Sequence, residues 1–403
     1  MNRPSPPPLL LQRDPSAWLQ LGGLDTAREI AQQPAVWRAL ADTLAAQQAR
    51  IEGFLGDWLA QPGHRVILTG AGSSAYIGQI AADSQAGAWP AQVRAIASTS
   101  LLTHPECYLT REQPTLLVSF ARSGNSPESL AAVALLRQRV ASVRFLNITC
   151  NPDGALLRDN AERDDSLNLL MPAGSCDRGF AMTSSFSAML LAALAVLERA
   201  PWRERLERIR QLAGQAESAL ADWSPAVAQL AWKPYERVVY LGSGPLEALA
   251  REAALKVLEL TGGRALAIAD TPLGFRHGPK SMLNPATVVL MFRSVSAVAQ
   301  RYEQDLLDEL RRDRVAAAVL SIGPGEAAAF AAPAVAAPAV AAAAGAGPVG
   351  CSDGWLAPLW LLVAQQFALH QSVVQGLTPD NPFPDGTVNR VVQGVTIHSH
   401  DLD

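Results

Sequence analysis

Short apolar runs alternate with helical segments through the first half of the chain. The runs RVILT, TLLVSF and VRFLNIT occupy residues 65–69, 115–120 and 143–149, and turn-forming residues bound each of them. Such runs predict buried strands. Helices are predicted between them, over residues 75–86 and 127–140. Strands that alternate with helices predict a doubly wound α/β fold, in which helices cover both faces of a parallel sheet.

The same pattern returns in the second half of the chain, 172 positions later. RVVYLGSG at 237–244 repeats RVILTGAG at 65–72. At the same offset, Leu290 and Phe292 match Val118 and Phe120. Two matches in one register favour an internal duplication, so we expect two similar α/β domains.

The termini and one internal stretch lack this pattern. Residues 1 to about 14 are Pro-rich and are predicted to be disordered, and a helical segment follows from about Asp25 to Leu59. Between Val315 and Gly350, VAAAVLSI is compatible with a strand, whereas AAPAVAAPAV predicts a loop. The predicted organisation is a tail and helix over 1–48, a first domain over 49–205, a helical connector over 206–232, a second domain over 233–375 and a tail over 376–403 that closes the site.

Each of the first two strands is followed by a loop suited to an anion. GAGSS at 70–74 and ARSGNS at 121–126 join strands to helices, where backbone N–H groups are free to bind phosphate. A capped helix start would look the same for either loop alone, and two neighbouring loops strengthen the phosphate interpretation. The candidate donors are Ser73, Ser74, Ser123, Asn125 and Ser126.

The second half keeps its GSG turn but not the second loop. The segment aligned with ARSGNS reads Arg293-Ser294-Val295-Ser296 and contains no glycine. This asymmetry predicts one composite site, in which one half holds a phosphate and the other supplies acid–base groups.

Those acid–base groups lie on a helix predicted over 245–260 and on the loop after it. Glu252, Lys256 and Glu259 are four and three residues apart, so they project within about 60° of one another. A solvated stripe is the alternative. Ala, Leu and Val fill most of the helix, so the stripe is predicted to line a cleft. His277, held between Gly and Pro residues in GFRHGPK, is the third candidate.

Composition narrows the class of protein. Apolar residues make up 49% and the net charge is −4, which suits two cores and offers no basic surface for nucleic acid. The apolar run Phe186 to Leu197 is too short to span a bilayer and predicts a buried helix. Four scattered cysteines and six histidines show no metal spacing, so we expect neither metal nor cofactor, and a cytoplasmic location.

From about residue 40 to the end, the chain resembles the sugar isomerase (SIS) domain family. The words ALKVLELT and RHGP resemble the isomerase half of glucosamine-6-phosphate synthase. SFARSGNSPES, DRGFAMTSSFSAM, LGFRHGPKS and PDNPFPDGTVNRVVQGVTIH resemble a closer branch, the D-galactosamine-6-phosphate deaminase/isomerases. The resemblance implies two tandem SIS domains of flavodoxin-like topology.

The resemblance also implies roles for matching residues. Glu259 would move a proton between C2 and C1 of the sugar, with Lys256 beside it. His277 would assist ring opening, reaching in from a second subunit of a homodimer or larger homo-oligomer. The residues implied to bind the substrate and its phosphate are Ser73, Ser74, Arg122, Ser123, Asn125, Ser126 and Thr183.

Three positions depart from the synthase. Ala121 and Arg122 stand where the synthase has serine and glutamine, and Gln393 stands where it has a lysine. Arg122 could offset lost hydrogen bonds with charge on the phosphate. The missing lysine leaves sugar binding open. No N-terminal Cys nucleophile is present, so the chain would not release ammonia from glutamine, and the direction of sugar breakdown is favoured.

The resulting hypothesis is conversion of D-galactosamine 6-phosphate to D-tagatose 6-phosphate and ammonium. An aldose–ketose isomerase of a neutral sugar phosphate and a glucosamine-6-phosphate deaminase remain alternatives. A non-catalytic sugar-phosphate sensor would need the serine loop but not Glu259 and His277. A dinucleotide-binding oxidoreductase is disfavoured because neither GAGSS nor GSGPL completes GxGxxG.

Overall fold

The computed structural model describes residues 9–324, 351–392 and 394–398, which form two compact units. Each unit is built on one parallel sheet. The five-stranded unit comprises the described residues of 36–176, 184–210 and 385–403. The four-stranded unit comprises those of 1–35, 177–183 and 211–384.

Nine strands are formed by the described residues. They are β1 Arg65–Thr69, β2 Gln92–Ala95, β3 Thr115–Ala121, β4 Val143–Thr149, β5 Ser166–Leu170, β6 Arg237–Leu241, β7 Leu266–Asp270, β8 Thr287–Phe292 and β9 Ala318–Ile322. Their sheet orders are β2-β1-β3-β4-β5 and β7-β6-β8-β9. The first is the flavodoxin-like order, and the second matches its first four positions.

Helices connect the strands and cover the sheets. They are α1 Pro15–Gln20, α2 Leu24–Ala31, α3 Gln33–Leu55, α4 Ser73–Ser84, α5 Ser98–Thr103, α6 Pro127–Arg139, α7 Ala155–Arg158, α8 Ser184–Leu197, α9 Trp202–Leu230, α10 Pro245–Leu260, α11 Pro272–Phe275, α12 Ala297–Asp313 and α13 Asp353–Val374. Every residue of α8 is buried, which confirms the predicted buried helix. Among the helices described, none combines the length and apolar character needed to cross a membrane.

Burial explains which strands the sequence reveals. β1 and β3 are buried at every residue, and their apolar runs were the basis of the prediction. β2, β5 and β7 are missed, and all three lie at sheet edges. β2 and β5 alternate between more and less buried positions, and only Ala267 of β7 is buried. Polar residues interrupt the apolar positions of β2 and β5, so neither forms a continuous apolar run.

The two sheets repeat each other in register. Arg65 pairs with Thr115 across β1 and β3, and Arg237 pairs with Thr287 across β6 and β8, at the predicted offset. Gly72 and Gly244, which precede α4 and α10, have φ/ψ of 56/−129° and 57/−129°. The segment VAAAVLSI contains β9, whereas AAPAVAAPAV lies outside the described residues.

The predicted disorder of residues 1 to about 14 is wrong for residues 9–14. Leu11 is buried, and the Trp18 indole donates to the carbonyl oxygen of Leu10 at 2.7 Å. Asp14 then caps α1 by accepting from the backbone N–H of Ser16 at 2.8 Å. A leucine anchor and a helix cap therefore order this segment despite the prolines before it.

Candidate active site

The loop between β3 and α6 presents unused backbone donors. The N–H groups of Ser123, Gly124 and Ser126 have no acceptor within the part of the chain that the structure describes. The loop is nevertheless fixed, because the Asn151 side chain donates to the Ser123 carbonyl at 2.8 Å. Gly124 has φ +65°, and a Cβ there would lie 3.1 Å from Gly154 Cα. Free donors at the start of a long helix make this loop suited to an anion.

Side chains of the same loop form hydrogen bonds within the chain. The side-chain Oδ1 of Asn125 accepts from the Ala155 N–H at 2.9 Å, so Asn125 joins the loop to α7. The hydroxyls of Ser126 and Ser129 hydrogen-bond to each other at 2.7 Å. Arg122 is buried and donates to the Arg390 carbonyl at 2.8 Å, which brings the C-terminal segment to this loop.

The loop after β1 lies beside the first, because β1 and β3 are neighbours. Ser73 and Ser74 open α4 and are both buried. Gly70 permits the tight turn, since a Cβ there would lie 2.4 Å from Ser74 Cβ. The Ser74 hydroxyl has no hydrogen-bond partner among the described residues. The predicted serines of the two loops thus lie at the C-terminal ends of two neighbouring strands of one sheet.

A row of polar side chains beneath these loops was missed by the sequence reasoning. Thr69, Ser119 and Asn147 are register partners on β1, β3 and β4. The Thr69 and Ser119 hydroxyls are buried, and the described residues give them no partner. The four-stranded unit has Leu241 and Met291 at the matching positions. The signal was available as a polar residue near the end of each apolar run.

Thr183 uses its polar groups within the chain. Its N–H and hydroxyl donate to the two carboxylate oxygens of Asp177, at 2.8 and 2.9 Å. Glu29 on α2 accepts from the backbone N–H of Gly179 at 3.2 Å and so holds the same segment. Burial, with the charge of Asp177, raises the pKa of Glu29 to about 8. A role for Thr183 in substrate binding stays a prediction.

On α10, the predicted charged stripe is buried rather than solvated. The side chains of Glu252 and Lys256 are fully buried, and the side chain of Glu259 is 25% exposed. Lys256 Nζ lies 3.2 Å from Glu252 Oε1 and 2.6 Å from Glu259 Oε2. Burial alone would lower the pKa of Lys256, but the two carboxylates raise it above its ordinary value. A buried ammonium group therefore fixes a carboxylate that reaches the surface.

His277 lies on an exposed but anchored loop. Its backbone N–H donates to the Gly274 carbonyl at 2.8 Å. Arg276 pairs with Glu309 at 2.8 Å, which ties the loop to α12. In the residues described, no hydrogen bond or ion pair links the imidazole to Lys256 or Glu259. Lys256 and Glu259 thus form an ion pair, and within the described residues the His277 side chain forms no ion pair or hydrogen bond with either of them.

Two further predictions concern Gln393 and metal binding. Gln393, at the position of the synthase lysine, lies outside the described residues. Among the residues that are described, no group of three or more His, Cys, Asp or Glu side chains could hold a metal ion. The free N–H groups of the β3–α6 loop suit anion binding, and the Glu259 carboxylate suits proton transfer.

Comparison with known proteins agrees with this geometry. The SIS domain family matches residues 59–199. The AgaS protein of Streptomyces coelicolor is 46% identical over 98% of each chain. D-galactosamine-6-phosphate deaminase AgaS of Escherichia coli is 43% identical over 93% of this chain and 96% of its own. The crystal structure of tagatose-6-phosphate ketose/aldose isomerase from Escherichia coli superposes with a TM-score of 0.82 and 40% identity, covering 94% of this chain and 98% of that one.

Proposed function

The chain belongs to the AgaS family of SIS-domain enzymes, and on that premise we propose that it converts D-galactosamine 6-phosphate to D-tagatose 6-phosphate and ammonium. The observation that carries the proposal is the buried Lys256 ammonium, 2.6 Å from a partly exposed Glu259 carboxylate. A fixed carboxylate at the protein surface is the group that proton transfer between neighbouring carbons requires.

In the proposal, the phosphate binds at the loop between β3 and α6. The free N–H groups of Ser123, Gly124 and Ser126 supply hydrogen-bond donors, and the positive end of α6 favours the negative charge. Arg122, a buried residue of this loop, adds a guanidinium that also donates to the Arg390 carbonyl. Ser73 and Ser74 contribute from the neighbouring loop. These groups orient the sugar without touching its reacting carbons.

Glu259 is proposed as the base. After the sugar ring opens, Glu259 removes the C2 proton of the amino aldehyde, which yields an enolamine. It returns the proton at C1, and the resulting C2 imine takes up water to give the ketose and ammonia. Of the charged stripe Glu252, Lys256 and Glu259, only Glu259 is partly exposed, so it is the member of the stripe that can contact a substrate. Lys256 acts through Glu259, as a positioning residue whose ammonium group lies 2.6 Å from the carboxylate.

His277 is proposed to assist ring opening from a second copy of the chain. Its exposure, and the absence of a described contact with Glu259, support a site shared between subunits. Mixing His277→Asn and Glu259→Gln subunits tests this idea. If the site is shared, the two inactive variants regain part of the activity when mixed, because one site of a mixed dimer is intact. Continued inactivity of demonstrably mixed dimers would place both residues in one subunit's site.

We also propose that the four-stranded unit contains a second SIS domain, over about residues 233–375. The equal registers of β1/β3 and β6/β8 and the equal conformations of Gly72 and Gly244 support the duplication. The first domain would extend over 49–205, with 206–232 as connector and 376–403 as a closing tail.

The function is tested by measuring ammonium released from galactosamine, glucosamine and tagatose 6-phosphates. We expect rapid release from the galacto substrate and a loss of about 10²–10⁴-fold in Glu259→Gln, with substrate still bound. Glu247→Gln, which removes a carboxylate from the surface pair with Arg251 on the same helix, should keep wild-type activity. Ammonium at the wild-type rate from Glu259→Gln would refute the assignment.

A second activity is favoured by one comparison, since the superposed Escherichia coli structure is named a ketose/aldose isomerase. The same base would interconvert a neutral aldose 6-phosphate and a ketose 6-phosphate. Faster isomerisation of a neutral substrate than deamination of the amino sugar would establish this alternative.

A further inference from the structure

The four-stranded unit contains a loop that corresponds to the phosphate-binding loop but is arranged differently. It connects β8 to α12, as the other loop connects β3 to α6. β8 and β3 occupy equivalent sheet positions, each beside the strand that precedes the glycine turn. The loop residues are Arg293, Ser294, Val295 and Ser296.

In this loop the donors are already used by carboxylates. The Ser294 N–H donates to Glu303 at 3.2 Å, and the Val295 N–H donates to Asp353 Oδ1 at 2.7 Å. The Ser294 hydroxyl donates to Asp353 Oδ2 at 2.5 Å. The Ser243 side chain, from the GSG turn, also bonds to Glu303. The backbone donors of Ser294 and Val295 and the Ser294 hydroxyl thus each meet a carboxylate of the same chain.

The burial of Glu303 and the nearby charge of Arg293 are consistent with a carboxylate of the chain as the anion bound by this loop. Glu303 is fully buried, and the guanidinium Nε of Arg293 lies 3.7 Å from its Oε2. Burial raises the pKa of both Glu303 and Asp353, while their hydrogen bonds from Ser294 oppose that rise. The remaining N–H of the loop, that of Ser296, donates to the Ser294 hydroxyl at 2.9 Å. The loop has no unused backbone donor from residue 294 to 296 for an external phosphate.

We infer that the loop between β8 and α12 is an anion site whose anion is supplied by the chain itself, through Glu303 and Asp353. The two carboxylates take the place that a phosphate occupies in a loop with free donors. Consequently, of the two corresponding loops, only the one between β3 and α6 binds a phosphate. Removing a carboxylate leaves the loop open to an inorganic anion. The inference concerns a loop that the proposed reaction does not use, so it stands or falls independently of the substrate.

Anion rescue of stability tests the inference. The thermal midpoint of the full chain is measured in potassium phosphate and in potassium chloride of equal ionic strength, for wild type and Asp353→Ala. We expect Asp353→Ala to be less stable in chloride. Its additional rise in phosphate, beyond that of wild type, should be about 5 °C when the anion is near 100 times its Kd. Wild type responds only through the other loop, so the difference between the proteins reports the opened site.

Two further variants complete the test, one as a control and one as a replacement. Asp308→Ala removes a mainly exposed carboxylate from α12 and should behave as wild type in both salts. Asp353→Asn keeps the shape of the side chain but loses its charge, and it replaces Asp353→Ala if that variant does not fold in chloride. A larger phosphate response in either Asp353 variant supports the inference. A response equal to that of wild type in the folded variants overturns it.

Discussion

Replacing Lys256 with methionine isolates the buried ion cluster of α10. Lys256 has no exposed surface, and it lies 3.2 Å from Glu252, which is also fully buried. Methionine fills a similar volume but leaves the Glu252 carboxylate without its cation. Removing one partner of a buried ion pair costs about 3–5 kcal/mol. For a unit of 150–250 residues that loss lowers the melting temperature by about 6–20 °C.

The double variant Lys256→Met/Glu252→Gln separates this effect from simple loss of packing. Because both charges are gone, we expect it to recover most of the lost stability. Differential scanning calorimetry at pH 7.5 measures the melting temperatures of wild type, Lys256→Met, Glu252→Gln and the double variant. Arg251→Met, which breaks the surface pair with Glu247, is the matched control and should cost less than about 1 kcal/mol. The reasoning would be refuted if Lys256→Met melted at the wild-type temperature. It would also be refuted if the double variant were no more stable than Lys256→Met.

Three other expectations follow from single residues. The pKa of Glu29 rises from 4.5 to about 8 on folding, so the folded state keeps a proton that the unfolded chain loses. Stability should therefore fall as pH rises from about 4.5 to about 8, and a pH series of melting curves should be flatter for Glu29→Gln; an unchanged slope would contradict this. Ser123→Ala should raise KM for the sugar phosphate by about 10–100-fold with a smaller change in kcat, because a hydrogen bond to a charged group is lost; steady-state kinetics with an unaltered KM would argue against the phosphate loop. Gly244→Ala should destabilise by about 1–3 kcal/mol, since φ is +57° and a Cβ there meets no neighbour, whereas Gly214→Ala within α9 should not; equal melting temperatures would contradict a conformational cost.

The sequence predicted those parts of the fold that carry a local signal. β1, β3 and β4 follow from continuous apolar runs, and the duplication follows from RVILTGAG and RVVYLGSG. The charged stripe of α10 was predicted to line a cleft because its neighbours are Ala, Leu and Val. The structure shows that Lys256 is buried, and the cleft stays a prediction. Edge strands such as β2 were missed, because an edge position tolerates polar residues.

Contacts between distant residues account for the rest. Asp353 reaches Ser294 across 59 positions, and no pattern around either residue indicates the pair. The order of residues 9–14 depends on Trp18 and Leu11, which pack only once the chain has folded. The sequence shows that no glycine follows β8. It does not show that the carboxylates of Glu303 and Asp353 accept hydrogen bonds from that loop.

The fate of the C2 hydrogen tests the central claim most directly. Wild type and Glu259→Gln are incubated with galactosamine 6-phosphate deuterated at C2, while ammonium is measured and the sugar is analysed by mass spectrometry. We predict that wild type releases ammonium more slowly from the deuterated substrate than from the ordinary one. Glu259→Gln should bind the sugar, retain the C2 deuterium and release almost no ammonium. Loss of the C2 deuterium from Glu259→Gln at the wild-type rate would contradict the assignment of Glu259 as the base.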